Sequence, residues 1–526
     1  MAVARTFAVA LNGLEGHVVE VEADIAPGLP AFVLIGLPDT ALGESRERVR
    51  AAAVNAGCPL TQRKLTINLS PAALRKQGSG FDLAIAVAAL AAAGDVSVDS
   101  VAGVVHLGEL GLDGRLRPIP GVLPSVAAAR RAGFANVMVP AANADEAHLV
   151  DGIRVIAVGS LRDAAIWHGG RFSPRPVEPV GLPVSTDRRE TAEGGLDMSD
   201  VLGNEDVIEA LIVAAAGAHH VSMVGPPGAG KTMLAARLPG ILPDLTDEEA
   251  LEVTSIRSLT GVGVGGELVR RPPFEAPHHT ASAISIVGGG SGRIVPGAVV
   301  RATNGVLFLD EAPEFPARVL DVLRQPLESG RIAIHRASGV AAFPARFQLV
   351  LAANPCPCGR YGSQDDECTC TPIARRRYLA RLSGPLLDRV DIRLTVRRLS
   401  VAAMRASGAT SPASKPDGVT TSAAVTSEAI RHRVVGARAV AAERLATTPW
   451  TRNSEVTGSW LRTGPRRLPH AATAALDRAF ERGAITMRGF DRTLRLAWTL
   501  ADLDTAEAPT AHHVGAALFL RRGMES

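Results

Sequence analysis

The sequence predicts an α/β multidomain chain, with an N-terminal α+β domain, a core built on a parallel sheet around a phosphate-binding loop, and a helical lid at the C-terminus. Three observations carry that expectation. Gly225–Thr232 reads GPPGAGKT and satisfies G-x-x-x-x-G-K-[ST] at every fixed position, between a strand-like run, Val221–Val224, and a helix-forming one, Met233–Leu238. Further on, an apolar run, Val306–Leu309, ends in the paired acids Asp310 and Glu311. Short β-rich runs alternate with alanine-rich stretches before residue 170, whereas only helical patterning follows residue 426.

At 526 residues the chain has room for about three or four domains, and its 46% apolar content supplies real cores. A net charge of +3 excludes a globally basic field, so any nucleic-acid contact must come from local clusters. The N-terminus, MAVARTFAVALNGLEG, lacks the charged, apolar and cleavage regions of a leader. The longest uncharged apolar run, Leu83–Gly94, is far short of the ~20 residues that span a bilayer. A cytoplasmic location without membrane contact is therefore expected. Four of the five cysteines fall within Cys356–Cys370, unlike a secreted disulfide framework.

Residues 1–170 form the first domain. Strands are expected at Val18–Val21, Ala31–Ile35, Leu65–Leu69, Val101–Leu107, Val137–Val139 and Val155–Val158, and helices at Thr40–Ala56, Asp82–Ala93 and Pro124–Ala132. Residues 171–195 are rich in proline and charge without periodicity, which reads as a linker.

Residues 196–400 form the core. In the loop Gly225, Pro226, Pro227, Gly228, Ala229, Gly230, Lys231 and Thr232, glycines let backbone N–H groups turn towards phosphate oxygens. Lys231 then reaches the β- and γ-phosphates, and the Thr232 hydroxyl is placed to ligate Mg²⁺. Asp310 completes the Mg²⁺ site and Glu311 polarises the attacking water. The pattern thus implies a nucleoside triphosphate as ligand and hydrolysis as chemistry. A third strand, Phe347–Ala353, ends at Asn354.

The segments GLPDTALGESRERVRAA, INLSPAALRKQGSGFDLAIAVAAL and HLGELGLDGRLRPIPGVLPSVAAARRAG resemble the Lon-protease-like domain of the ribosomal-S5-domain-2 fold that opens Mg-chelatase-like ATPases. In proteolytic relatives a serine and a lysine form a dyad. Ser79 falls near the serine position, but Pro124 and Ser125 stand where the lysine belongs, so peptidase activity is not expected. The core resembles an AAA+ module, which implies that Asn354 orients water against the γ-phosphate. Gly384–Asp391, GPLLDRVD, resembles the arginine-finger segment of the Mg-chelatase and replicative-helicase branch. That resemblance implies that Arg389 reaches the γ-phosphate of a neighbouring subunit, and hence a ring.

Two insertions mark this branch. One is Gly261–Gly305, whose PHHTAS and GGG elements are similar to those of the ComM family of Mg-chelatase-like proteins. The other, Arg331–Arg336 followed by Val340–Phe343, reads as a β-hairpin turning at Ser338-Gly339. In ring motors of the branch both face the central channel, which makes Arg270, Arg271, Arg293, Arg301 and Arg336 as a group candidates for DNA backbone contact, with a solvated or ion-paired surface role equally open for each. Adjacent His278 and His279 would point to opposite faces of a strand, so joint metal ligation is not expected.

Cys356, Cys358, Cys368 and Cys370 follow the spacing C-x-C-x₉-C-x-C, which suits one tetrahedral Zn²⁺; reduced thiols and redox disulfides are the alternatives. The CPCG and CTC elements occur in the ComM-like pattern as well. Residues 401–426 read as a flexible insertion and 427–526 as the helical lid, with helices at Ser427–Ala446, His470–Arg482, Gly489–Asp502 and His512–Arg522. Within the lid, Met487–Arg495 resembles the segment that presents a second sensor arginine, assigned to Arg488, while Arg492 and Arg495, at helical spacing, read equally as surface charges. Taken along the whole chain, the resemblance to the ComM family implies a hexameric ring that drives DNA branch migration during natural transformation. A magnesium-chelatase ATPase subunit and an AAA+ protein-remodelling machine remain the rival readings.

Overall fold

The computed structural model describes residues 3–36, 43–74, 76, 78–181, 195–261, 263–290, 294–336, 339–362, 368–398 and 425–523. The expected linker lies mostly outside these residues, as do Arg293, the Ser338 turn position and nearly all of the 401–426 insertion.

Seven strands form the first sheet, in the order Ala31–Ile35, Lys64–Ser70, Glu15–Ala26, Ala4–Asn12, Val104–His106, Asn136–Pro140 and Arg154–Val158. Its longest pairing joins Ala4–Asn12 to Glu15–Ala26, antiparallel, through a two-residue turn in which Gly13 takes φ +67°. Ala4–Asn12 is absent from the expectations above, although its inward residues alternate as a half-buried strand requires. Val101 also differs: Ser97 accepts from the Ser100 N–H and caps a short helix, Val98–Ala102, leaving the strand to begin at Val104. Helix Asp82–Ala93 is apolar almost all round and accordingly buried from Asp82 to Ala91, and it ends at Gly94 in the left-handed region.

The second sheet has five parallel strands in the order Phe274–Glu275, Val306–Leu309, Gln348–Ala353, Val221–Val224 and Ile392–Thr395. The three central strands are covered on both faces, so their sequences are mostly apolar instead of alternating, broken by buried Ser222 and Gln348. Register pairs Val224 with Ala353 and Leu309 with Leu351. The carboxyl ends of those three strands therefore share one edge of the sheet, where open parallel sheets place their ligands.

Helices Ser427–Leu445, His470–Glu481, Met487–Leu503 and Ala511–Arg522 follow. Ile430, Val434, Trp498 and Val514 pack into one core with Leu211 and Leu234. The two halves of the chain also touch: Gly121 N–H donates to Ser258 O, and Asn12 Nδ2 donates to Val340 O at 3.1 Å, which docks the 331–344 hairpin on the first sheet. Among the described residues, no helix is long and apolar enough to cross a membrane.

Buried histidines make stability depend on pH. His106 Nε2 lies 2.8 Å from His168 Nε2, and their other nitrogens meet the Thr6 and Ser100 hydroxyls. Burial holds His168 at about 4 and His106 well below its ordinary value, and it also holds His220, at the end of the second sheet opposite the phosphate-binding loop, at about 4. Unfolded, each takes a proton near pH 6.5, so between about pH 6.5 and 4 the unfolded state binds more protons. Stability is full above this window and falls as the pH drops through it, by up to about 1.4 kcal/mol per pH unit for each histidine. Thermal midpoints measured from pH 7.5 to 5 should fall, and His168→Asn should flatten part of the slope. A pH-independent midpoint in the parent chain would sink the account.

Candidate active site

The loop after Val224 is shaped by glycine. Gly228 and Gly230 sit at φ +75° and +92°, and a Cβ on Gly225 would lie 2.3 Å from Val396 O. The helix then begins at Lys231, so its free N–H groups face the loop. Lys231 Nζ donates to Gly225 O at 2.6 Å, Pro226 O at 3.0 Å and Asn354 Oδ1 at 3.2 Å. Burial lowers the pKa of this amine while Asp310 and Glu311 pull it back up. Its partners are carbonyl oxygens that a phosphate could replace.

Thr232 Oγ1 donates to Asp310 Oδ2 at 2.7 Å, although the two are 78 residues apart. A hydroxyl and a carboxylate so placed, beside a glycine-rich loop at a helix N-terminus, are oxygen donors suited to Mg²⁺. The Glu311 N–H donates to the other oxygen of Asp310 at 2.9 Å. Glu311 adopts φ +49°, ψ +42°, left-handed for a residue with a side chain, which costs about 1–3 kcal/mol. Its carboxylate remains half-exposed, with His279 Nδ1 at 3.3 Å from Oε2. A cavity of about 1420 Å³ opens beside them, lined by Thr232, Asp310, Glu311, His278, His279 and Arg431.

His279 is the site residue that sequence reasoning missed. The PHHTAS signal drew attention to the loop but did not say that it returns to the acidic strand. The two imidazoles do not diverge as on a strand; their centroids are 4.1 Å apart, and His278 Nδ1 turns to Thr280 Oγ1 at 2.8 Å.

Other expected residues lie outside this cluster. Arg389 is buried, with its guanidinium bonded to Pro385 O and to Glu328 of the same chain. Arg488 is exposed in the first turn of helix Met487–Leu503. Arg492 is tied to Asp391, and Arg495 Nε to Val456 O at 2.7 Å. Asp391 in turn accepts from the His220 N–H, at the end of the sheet opposite the loop, which keeps Arg492 away from Lys231.

Arg270 pairs with Asp247, Arg271 with Asp244 at 2.9 Å, and Arg301 with both oxygens of Glu275. Arg336 ends its hairpin strand at the pair with Gly339. In the first half, the Ser79 hydroxyl donates to Glu109. Lys76 Nζ, buried, is spent on the carbonyls of Gly36, Leu69 and Pro71.

The four clustered cysteines converge: Cys356 Sγ is 3.3 Å from Cys358 Sγ and 3.7 Å from Cys368 Sγ, and all four sulfurs lie within 4.8 Å of one another. None is in a disulfide.

Comparison with known proteins matches residues 21–143, 197–404 and 424–521 to three family models, described as subunit ChlI of Mg-chelatase, magnesium chelatase subunit ChlI, and the C-terminal region of that subunit. Competence protein ComM of Haemophilus influenzae is 36% identical over 528 residues, covering 99% of this chain and 98% of ComM. The chain belongs to the ComM and magnesium-chelatase-like family. An uncharacterized protein of Mycobacterium tuberculosis is 49% identical over 523 residues, with 99% of each chain covered. The YifB protein of Escherichia coli is 36% identical over 97% of this chain and 95% of its own length. Membership in this AAA+ family supports an ATPase that uses ATP and Mg²⁺, and the mixed α/β architecture with its parallel sheet is consistent with that fold.

Proposed function

We propose that this chain is an ATP-hydrolysing ring motor, assembled as a homo-hexamer, that acts on branched or single-stranded DNA as a branch-migration helicase in recombination. The observation that carries the reading is the convergence of Lys231, Thr232, Asp310, Glu311 and Asn354 at one edge of the parallel sheet. Lys231 and the loop N–H groups would hold the triphosphate, and Thr232 and Asp310 would hold Mg²⁺, which when bound would supply charge neutralisation at the phosphates. Glu311 takes the proton of the attacking water while Asn354 orients that water, and Arg389 enters from the adjoining subunit. Arg488 is the lid arginine in this reading, and the four thiols hold a structural Zn²⁺.

The same reading divides the chain into an N-terminal domain (1–170), linker (171–195), ATPase core (196–400), flexible insertion (401–426) and helical lid (427–526). DNA is favoured over other substrates by full-length similarity to a protein named for competence. Arg270 and Arg271 form exposed ion pairs, which cost little to break and can re-pair with phosphate. Arg293, Arg301 and Arg336 belong to the same proposed backbone-contact set.

The test is the ATPase rate with and without single-stranded, duplex and four-way-junction DNA at two salt concentrations. DNA should stimulate turnover, and the stimulation should weaken as salt rises, because backbone contacts release counterions. A flat response to every DNA would overturn the DNA assignment and move the weight to a protein or porphyrin substrate.

A further inference from the structure

We infer that Cys356, Cys358, Cys368 and Cys370 hold one tetrahedral Zn²⁺, and that this metal knot clamps Asn354 and the phosphate loop in their hydrolytic arrangement. The second half of this inference rests on the ATPase reading; the metal itself does not.

The geometry of the sulfurs selects the ligand. Zinc at about 2.3 Å from each of four thiolates requires S···S edges of about 3.8 Å. The observed separations, 3.3 Å for Cys356–Cys358 and 3.7 Å for both Cys356–Cys368 and Cys358–Cys368, fit such edges, with all four sulfurs inside 4.8 Å. They are far from the ~2.05 Å of a disulfide. Four sulfur donors leave no open coordination position, so the metal has a structural role. The helix that follows Cys370, Pro372–Leu379, carries Arg375, Arg376 and Arg377, and Arg375 folds back over the Tyr361 ring of the knotted segment at 3.8 Å.

Both ends of the knotted segment lead to Asn354. On one side only Pro355 separates Asn354 from Cys356. On the other, Cys370 directly precedes Thr371, which caps helix Pro372–Leu379. That helix carries buried Tyr378, whose hydroxyl lies close enough to the Asn354 backbone to be influenced by it. Closing the cysteines on a metal therefore fixes Asn354 from before and behind, while its side chain accepts from Lys231.

The turn of the knot also touches the phosphate loop. Gly359, at φ +77°, donates its N–H to Cys356 O at 3.0 Å and lies against Pro227. A Cβ on Gly359 would come within 2.7 Å of the Pro227 ring and 4.0 Å of the Asn354 side chain. Among the described residues of the knot only Cys356 and Gly359 are buried, so loss of the metal should disturb the site without dismantling the core.

Metal content is the first readout. The purified chain should carry one zinc per chain, and Co²⁺ substitution should give the absorption of a tetrahedral tetrathiolate, lost in Cys358→Ser and Cys370→Ser. Stripping the metal should lower kcat for ATP about ten- to hundred-fold, the scale of a small misplacement in a reacting array. KM should change by less than about threefold, since the triphosphate is held chiefly by the rest of the loop. Returning Zn²⁺ should restore the rate. Gly359→Ala should keep the metal and still lower kcat, which separates the contact with Pro227 from metal binding. Absence of zinc together with no thiolate–cobalt absorption overturns the site. Full kcat after stripping overturns the clamp. If the chain proves to have no ATPase activity, the cobalt spectrum still decides the metal, and the failure falls on the hydrolase reading alone.

Discussion

Glu311→Gln is expected to bind ATP with near-native affinity and to hydrolyse it about 10²- to 10⁴-fold more slowly, the range for losing a positioned general base. Glutamine has the same length and keeps the N–H that donates to Asp310, so the Thr232–Asp310 pair should stay in place. What is lost is the negative charge and with it the ability to take a proton from water. The strained backbone at Glu311 supports this assignment, because φ +49° turns the side chain off the strand end into the cavity, beside His279. Equilibrium binding of a fluorescent ATP analogue and a phosphate-release assay separate the two effects. Unchanged turnover would remove Glu311 from the mechanism, and lost binding would make it a structural residue.

Arg389→Ala is expected to lower turnover by about 10³-fold, the scale of an arginine finger. In the single chain this guanidinium is docked on Glu328 and Pro385 O, and its buried Nε has no hydrogen-bond partner among the described residues. A buried cation with one unsatisfied donor is held imperfectly, and a neighbour's γ-phosphate offers a stronger acceptor. On the proposed reading the finger acts between subunits, so mixing Arg389→Ala with Glu311→Gln should restore part of the activity. One interface of a mixed ring then joins the intact acid of one chain to the intact arginine of the other. Arg389→Lys, which retains the charge, reports on folding through its thermal midpoint. An Arg389→Ala protein that folds yet gains nothing on mixing would mean that Arg389 serves only its own chain.

Local backbone requirements made the centre of the site legible. The GPPGAGKT pattern needs glycine at left-handed positions, and Gly228 and Gly230 occupy them. The acidic pair was readable because a continuous apolar run that ends in charge marks the exit of a buried strand, and Val306–Leu309 is such a strand. The four longest C-terminal helices were readable from periodicity and caps, with bounds shifted by a residue or two at most ends, whereas the short Gly458–Thr463 helix was not. Strand Ala4–Asn12 and the Val98–Ala102 helix were not, since short segments rich in Ala and Val satisfy both periods. Nor was the pairing of Arg270, Arg271 and Arg301 with carboxylates, which depends on where the Gly261–Gly305 segment folds back.

What the sequence by itself determined is therefore the chemistry: a phosphate loop, an acid pair, a polar residue at the end of a third strand, and four thiols at ligand spacing. Each is a property of a few neighbouring residues and of the backbone they favour. Only the tertiary structure decided which of these meet. Parallel strand order placed the ends of Val221–Val224, Val306–Leu309 and Gln348–Ala353 on one edge, bringing Lys231 to Asn354, 123 residues away, and Thr232 to Asp310. It also brought His279 to Glu311 and Gly359 to Pro227. The physical reason is that such contacts cost loop entropy, which no local propensity encodes and which burial of the sheet on both faces offsets for the chain as a whole.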